Sequence, residues 1–339
     1  MNIKYLSTLL AVLLSNSLFS EDKLPIIDMH LHTVINDFPL SLCIPWVTQY
    51  PAKKPGVDWS ETWLDMMTKN PPCDNPIHTP EGDAAVMKET VAVMERNNIF
   101  GVLTGQPDEL KEWQNYAPDR FYLSAHFNLG KMTAPSPSEF EELLNSSPYK
   151  VIGEISNQYA GIAVNDPRMD PYWALAEKMD IPVAVHMGEG TVGTAYLGMP
   201  GLTTYRASLS NPLLLEDVLV KYPNLRISVM HYGAPFVDEM IAILGSHPQV
   251  YIDIGGIQWY YPREFFYSHL KKFIDAGYLN RIMFGSDQGS WPGVIEPAIQ
   301  IIDEAPFLNQ KQKREIFYNN AARFLNLTKE EIAKHHRVK

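Results

Sequence analysis

The sequence predicts a (β/α)8 TIM barrel of the α/β class, and three observations predict it. Eight short apolar runs recur along the 339 residues. They are near-continuous rather than alternating, as parallel strands covered on both faces should be. Stretches with helical spacing separate them, the strand–helix rhythm of a parallel α/β fold. The first run ends in His30-Leu-His32, where a doubly wound open sheet, the rival architecture, would place a glycine-rich phosphate loop.

The expected strands are 25–30, 99–105, 121–127, 151–155, 181–187, 226–232, 250–255 and 281–286. Helical patterns occupy 82–97, 138–145, 170–179, 212–221, 235–245, 263–276 and 293–303. Two of these have start signals, Pro137 before Ser138 and Pro212 after Asn211. The first strand-to-helix connection, 33–80, is long and rich in proline and tryptophan. A connection of that length is functional or stapled, and it is read as a cap over the barrel mouth. The tail, 309–339, supplies C-terminal helices, with a pair over 309–327.

Residues 1–20 read differently. Lys4 precedes an apolar run from Leu6 to Leu14, and small and polar residues lead to Ser20. That is the pattern of a signal peptide cleaved near Ser20, with residues 21–339 as the mature chain. An uncleaved anchor is the alternative, but the run is short for a bilayer. The expected location is therefore periplasmic or secreted. In such a compartment Cys43 and Cys73 either pair or remain thiols; a bridge would stabilise by roughly 3–4 kcal/mol through loop entropy. The net charge of −11 argues against nucleic-acid and anionic-membrane binding. A small-molecule substrate is the expected partner, and a homo-oligomer is left open.

The polar residues at the strand ends suggest the chemistry. Of ten histidines, five stand at the C-terminal end of an expected strand: His30, His32, His126, His186 and His231. Glu154 ends the fourth strand and Asp287 follows the eighth. Active sites of such barrels lie at this end, and imidazole with carboxylate suits Zn2+ and related divalent ions. Residues i and i+2 of a strand share a face, so His30 and His32 should project side by side.

Five short segments then share one pattern: Asp28-Met-His30-Leu-His32, Val151-Ile-Gly-Glu154, Val185-His186, Met230-His231-Tyr-Gly233 and Phe284-Gly-Ser-Asp287. With the ending Asn319-Asn-Ala-Ala-Arg-Phe-Leu-Asn-Leu327, the chain resembles the amidohydrolase superfamily. It is most similar to the amidohydrolase-related branch of metal-dependent hydrolases and decarboxylases. The resemblance implies that His30, His32, His186 and Asp287 hold a divalent metal, with Zn2+ foremost. It implies that Asp287 also takes a proton from the attacking water and passes it to the leaving group. His231 would polarise the substrate carbonyl or serve as acid/base. Glu154 either bridges two metals or has a structural or substrate role beside one; one ion is the expectation. Asp28 is expected to orient ligands, and His126 either to support a ligand from behind or to face the substrate.

Arg206 either forks a substrate carboxylate or makes a surface ion pair. Trp259 and Trp291 are candidates for the substrate wall, which points to an aromatic or cyclic substrate. The function expected on this basis is attack of a metal-activated water on an amide, ester or lactone. Non-oxidative decarboxylation of a small aromatic carboxylate is the closest rival. Binuclear phosphoesterase or nuclease chemistry and a non-catalytic metal-binding barrel are further ones.

Overall fold

The computed structural model describes residues 23–33, 39–199 and 201–337. The expected signal peptide lies outside the described residues. Eight parallel strands form one sheet in sequence order. They are β1 (Ile26–His32), β2 (Ile99–Thr104), β3 (Phe121–Ala125), β4 (Val151–Ile155), β5 (Val183–His186), β6 (Ile227–Met230), β7 (Val250–Asp253) and β8 (Ile282–Met283). Met29 N–H donates to the Phe284 carbonyl at 2.9 Å, and Asp287 N–H to the His30 carbonyl at 2.9 Å. These bonds join the last strand to the first and close the barrel.

Seven of the helices fall where the helical patterns are. In Asp83–Arg96, for example, Val86, Met87, Val91, Val93 and Met94 are buried against the barrel. At Pro137–Ser146 the Ser136 hydroxyl accepts from Glu139 N–H, and Glu139 accepts from Ser136 N–H at 2.7 Å. This satisfies the free amides of the first turn reciprocally. One barrel helix has no counterpart in the sequence reading. Pro107–Tyr116 buries only Leu110 and Trp113, a stripe too thin to reveal a period.

The 33–80 connection is not structureless. Its helix Trp59–Thr68 is capped by Asp58, and Ser41–Leu42 pairs antiparallel with Ile77–His78. Cys43 and Cys73 form a disulfide, which settles the two open readings in favour of the bridge. At the tail, Gln310–Phe324 is one continuous helical stretch with a wide turn over Glu315–Asn319, and Lys329–His335 follows.

The barrel interior explains how polar side chains reach its mouth. At the bottom, Ile27, Met29, Val102, Val151, Ala184, Met230 and Met283 pack together, closed off by Tyr318, Phe324 and Leu325 of the tail. Leu31, Ile152 and Ile155 instead belong to the layer between sheet and helices. The pairing register slips between Asp28 and Leu31 of β1 and between Ile152 and Ile155 of β4. A slip of this kind changes which residues face inward. Met29 lies inside and Leu31 outside, so His30 and His32 turn into the mouth. Val151 lies inside and Ile155 outside, so Glu154 turns in likewise.

Candidate metal centre

At the C-terminal mouth, donors from five strands converge. His30 Nε2 lies 3.4 Å from Asp287 Oδ1, and His32 Nε2 lies 3.2 Å from the same oxygen. Glu154 Oε2 is 3.5 Å from His32 Nε2 and 3.9 Å from His30 Nε2. Two sets of donor atoms lie within 4.8 Å of one another: His30, His32 and Asp287, and His30, Glu154 and His231. His30 belongs to both.

His186 joins through its neighbours. Its Nδ1 is 2.5 Å from Glu154 Oε1 and 3.1 Å from His231 Nε2. The structure thus brings together every metal-site residue read from the sequence, with His186 reaching the others through Glu154 and His231.

Tautomers follow from the partners. His231 Nδ1 faces the Gly255 carbonyl at 2.7 Å. A carbonyl only accepts, so Nδ1 donates and Nε2 is left for the centre. His30 Nδ1 faces Asp253 Oδ2 at 3.3 Å, an ion-pair contact without hydrogen-bond alignment, and the ring turns its Nε2 to the centre. That buried nitrogen has no hydrogen-bond partner and points among carboxylates. An orphaned buried donor atom facing two acids fits a divalent cation.

Asp253 is the residue the sequence reading missed. It is fully buried, and its Oδ1 accepts from His231 N–H at 3.1 Å and Gly255 N–H at 2.9 Å. It ends β7, the one strand in the second half of the barrel to which no polar role was given. Its place at that strand end was the available signal. Asp28 orients backbone rather than an imidazole: its Oδ1 accepts from His30 N–H at 3.0 Å and from Ser286 N–H at 2.9 Å. Gln288 holds His32 similarly, donating to its carbonyl at 2.7 Å and accepting from its N–H at 3.1 Å.

The backbone is packed around these rings. A Cβ at Gly255 would stand 2.6 Å from His30 Nδ1, and one at Gly285 would stand 2.8 Å from His30 Cβ. His231 and Asp287 take left-handed φ values of 56° and 51°. Non-glycine residues rarely do so outside strained functional positions.

Charge at the centre is strongly polarised. Burial works against the charged form of Asp287, yet the imidazoles of His30, His231 and His32 hold it well below the usual carboxylate range. Glu154 is likewise held low against burial, chiefly by His186. Burial disfavours a charged His30, but Asp287 and Asp253 outweigh it and raise its pKa well above the ordinary value. The histidines thus sit among ionised acids, a setting in which a cation displaces protons.

A cavity of about 350 Å³ opens from the centre. Glu154, His186, His231 and Asp287 form its floor, and Trp46, Tyr159, Trp259 and Tyr260 form much of its wall. Trp259 is therefore where the sequence reading put it, on one buried helical turn, Ile257–Tyr260. Its indole donates to the Ser286 carbonyl at 2.8 Å, and Trp46 stacks on it at 5.9 Å between ring centres. Trp46, Trp59 and Trp63 tie the 39–80 segment to the loops after β5 and β7. Trp46 N–H meets the Trp259 carbonyl, Trp59 Nε1 the Val192 carbonyl and Trp63 Nε1 the Thr191 hydroxyl.

Three other expected substrate residues lie elsewhere. Trp291 supports the wall from behind, edge-on to Trp46, with its indole on the Leu40 carbonyl at 3.3 Å. Arg206 is exposed, does not line the cavity and makes no ion pair among the described residues. Its guanidinium donates to the Tyr205 carbonyl at 2.7 Å and the Thr203 carbonyl at 3.4 Å, within its own loop. His126 lines an adjoining groove of about 370 Å³ with His32, Gln106 and Lys131, which meets the first cavity at Glu154 and Ser156. Its Nδ1 is bonded to the Gly105 carbonyl at 3.1 Å.

Barrel, strand-end donors and mouth cavity together define a TIM-barrel protein with a candidate metal centre at its mouth. The Amidohydrolase family model matches residues 27–327, and the chain belongs to that family. No curated protein matches the chain.

Among solved structures, it is similar to an uncharacterized TIM-barrel protein from Bordetella bronchiseptica, with a TM-score of 0.60 and 17% identity, covering 91% of this chain and 100% of that one. It is also similar to 5-carboxyvanillate decarboxylase from Sphingomonas paucimobilis, with a TM-score of 0.56 and 16% identity, covering 90% and 100%. A probable 2-pyrone-4,6-dicarboxylic acid hydrolase from Acinetobacter baumannii follows with 0.55 and 15%, covering 90% and 100%. At these identities the likeness is one of fold.

Proposed function

We propose that this protein is an exported, metal-dependent hydrolase of a small amide, ester or lactone. The observation that supports it most is Asp287. Its Oδ1 stands 3.2 and 3.4 Å from two histidines, while its carboxylate also lines the substrate cavity. One residue can therefore hold an ion and face the reacting atoms. His30, His32 and Asp287 would hold one ion, zinc by the chemistry of the donors, with His186 and Glu154 completing the surroundings. A divalent cation bound there would supply Lewis acidity, activating a water at neutral pH and polarising the carbonyl.

The chain's own groups do the rest. Asp287 is ionised and able to accept a proton from the attacking water. Carried to the leaving nitrogen or oxygen, that proton completes the exchange. His231 presents Nε2 to the same space, with Nδ1 fixed on the Gly255 carbonyl. Burial opposes its charged form, but Glu154 raises its pKa. It is thus suited to donate to an oxygen that gains charge. Trp259 and Trp46 exclude water and seat an apolar ring.

No lysine or arginine lines the cavity among the described residues, which favours hydrolysis of an uncharged carbonyl over decarboxylation. The Cys43–Cys73 bridge supports the exported location, and no helix of the described residues is long and apolar enough to cross a membrane. The test is a product assay. Ester, lactone and amide panels are followed by acid release, and aromatic carboxylates by CO2 release. Acid release abolished by Asp287→Asn is expected; CO2 release without hydrolysis would replace the proposal with the decarboxylase reading. The donor set His30, Glu154 and His231 is what favours a second ion and phosphoester chemistry, which the metal count separates.

A further inference from the structure

The cavity contains one carboxylate that the reaction does not use. Glu189 follows His186 by three residues on the loop after β5 and lines the same cavity. The loop is held on both sides of it. Gly190 N–H donates to the Tyr205 hydroxyl at 3.2 Å, and the Tyr260 hydroxyl donates to the Gly190 carbonyl at 3.2 Å. Glu189 itself has one side-chain partner, the Tyr261 hydroxyl, which donates to Oε2.

Among the described residues no cation answers this carboxylate. Of the described residues that line the cavity none is lysine or arginine. Arg206, nearest in sequence, is exposed and bound to the Thr203 and Tyr205 carbonyls. Lys131 is exposed and faces the other groove with His126. Burial pushes the Glu189 carboxyl up to about 7, the behaviour of an acid without a partner. Around it stand Trp46, Tyr159, Trp259 and Tyr260. Aromatic faces beside a carboxylate attract an ammonium or guanidinium group and offer nothing to a second carboxylate.

We infer that Glu189 determines specificity, and that the substrate is a cationic one: a ring-sized ester, amide or lactone whose non-reacting end bears an ammonium or guanidinium nitrogen seated against Glu189 and the aromatic wall. This rests on the proposed hydrolase reading for the bond that is cleaved, but not for the binding. The volume of about 350 Å³ admits one ring with a short side chain. Glu189 is a binding residue and takes no part in proton transfer to the scissile bond.

The test is calorimetric binding to the full chain with its metal, using benzylammonium and the neutral benzyl alcohol as probes. Benzylammonium is expected to bind at least about tenfold more tightly than the neutral benzyl alcohol. Glu189→Gln should narrow that gap by about tenfold, and Glu189→Lys should invert the order. The Gln variant keeps size and its hydrogen bond to Tyr261, so its fold is expected to hold. Benzyl alcohol binding as well as benzylammonium in the wild type would overturn the inference, as would an unchanged ranking in both variants. Because no turnover is read, a chain that proved to decarboxylate would still give a decisive answer here.

Discussion

Asp253→Asn tests whether the centre depends on a carboxylate that touches no substrate. Asp253 Oδ2 faces His30 Nδ1 at 3.3 Å, while Oδ1 accepts from His231 N–H and Gly255 N–H. The amide that replaces it has two orientations. With its oxygen kept on the two backbone amides, its NH2 confronts His30 Nδ1. The ring must then carry its proton on Nε2, the nitrogen that faces Asp287. With the amide reversed, two buried N–H groups lose their acceptor. Carboxylate partners of ligating histidines are worth about 10–100-fold in metal affinity, or roughly 1.4–2.8 kcal/mol. The assay is competition for metal against a chelator of known affinity, with circular dichroism to confirm the fold. A loss of about 10–100-fold is expected. Metal affinity unchanged from the wild type would refute the orienting role of Asp253.

Asp287→Asn should slow turnover by about 10²–10⁴-fold while leaving part of the metal bound; a wild-type rate would end its role as proton carrier. His335 gives a pH signature. It stacks on Phe100 at 3.7 Å and is hydrogen-bonded to the Tyr122 and Tyr318 hydroxyls, and burial lowers its pKa to about 4. The unfolded chain therefore binds the extra proton between about pH 6.5 and 4, so this contribution is full above pH 6.5 and is lost as pH falls. Urea unfolding should show a loss of about 2 kcal/mol from pH 7 to 5, and His335→Leu should flatten that slope; an equal slope in both proteins would reject the assignment. Without reductant, a thiol reagent should label neither Cys43 nor Cys73 in the unfolded chain. Replacing both with serine should cost roughly 3–4 kcal/mol, read by the same unfolding measurement.

Much of the barrel was legible because its strands are buried on both faces and read as apolar runs whatever their register. The positions of His30, His186, His231 and Asp287 followed from the same runs, since strand ends become the mouth once the barrel closes. What was not legible depends on contacts between distant segments. The register slips in β1 and β4 turn His30, His32 and Glu154 inward, and no local pattern marks them. Asp253 looked like an ordinary strand-end acid, and only the fold brings it to His30. Arg206 was read by charge alone, but two carbonyls of its own loop hold it outside the cavity. The helix Trp59–Thr68 hid in a segment whose prolines suggested a loop; its buried face, Trp59, Trp63 and Met67, rests on the mouth rather than on the barrel wall.

The most direct test of the metal centre is elemental analysis of the protein purified without chelator, beside His30→Ala and His32→Ala. We expect about one divalent ion per chain in the wild type and loss of both ion and activity in each variant. Two ions would contradict the single-ion account and make Glu154 and His231 ligands of the second. A wild-type chain that is active and holds none would contradict the centre itself.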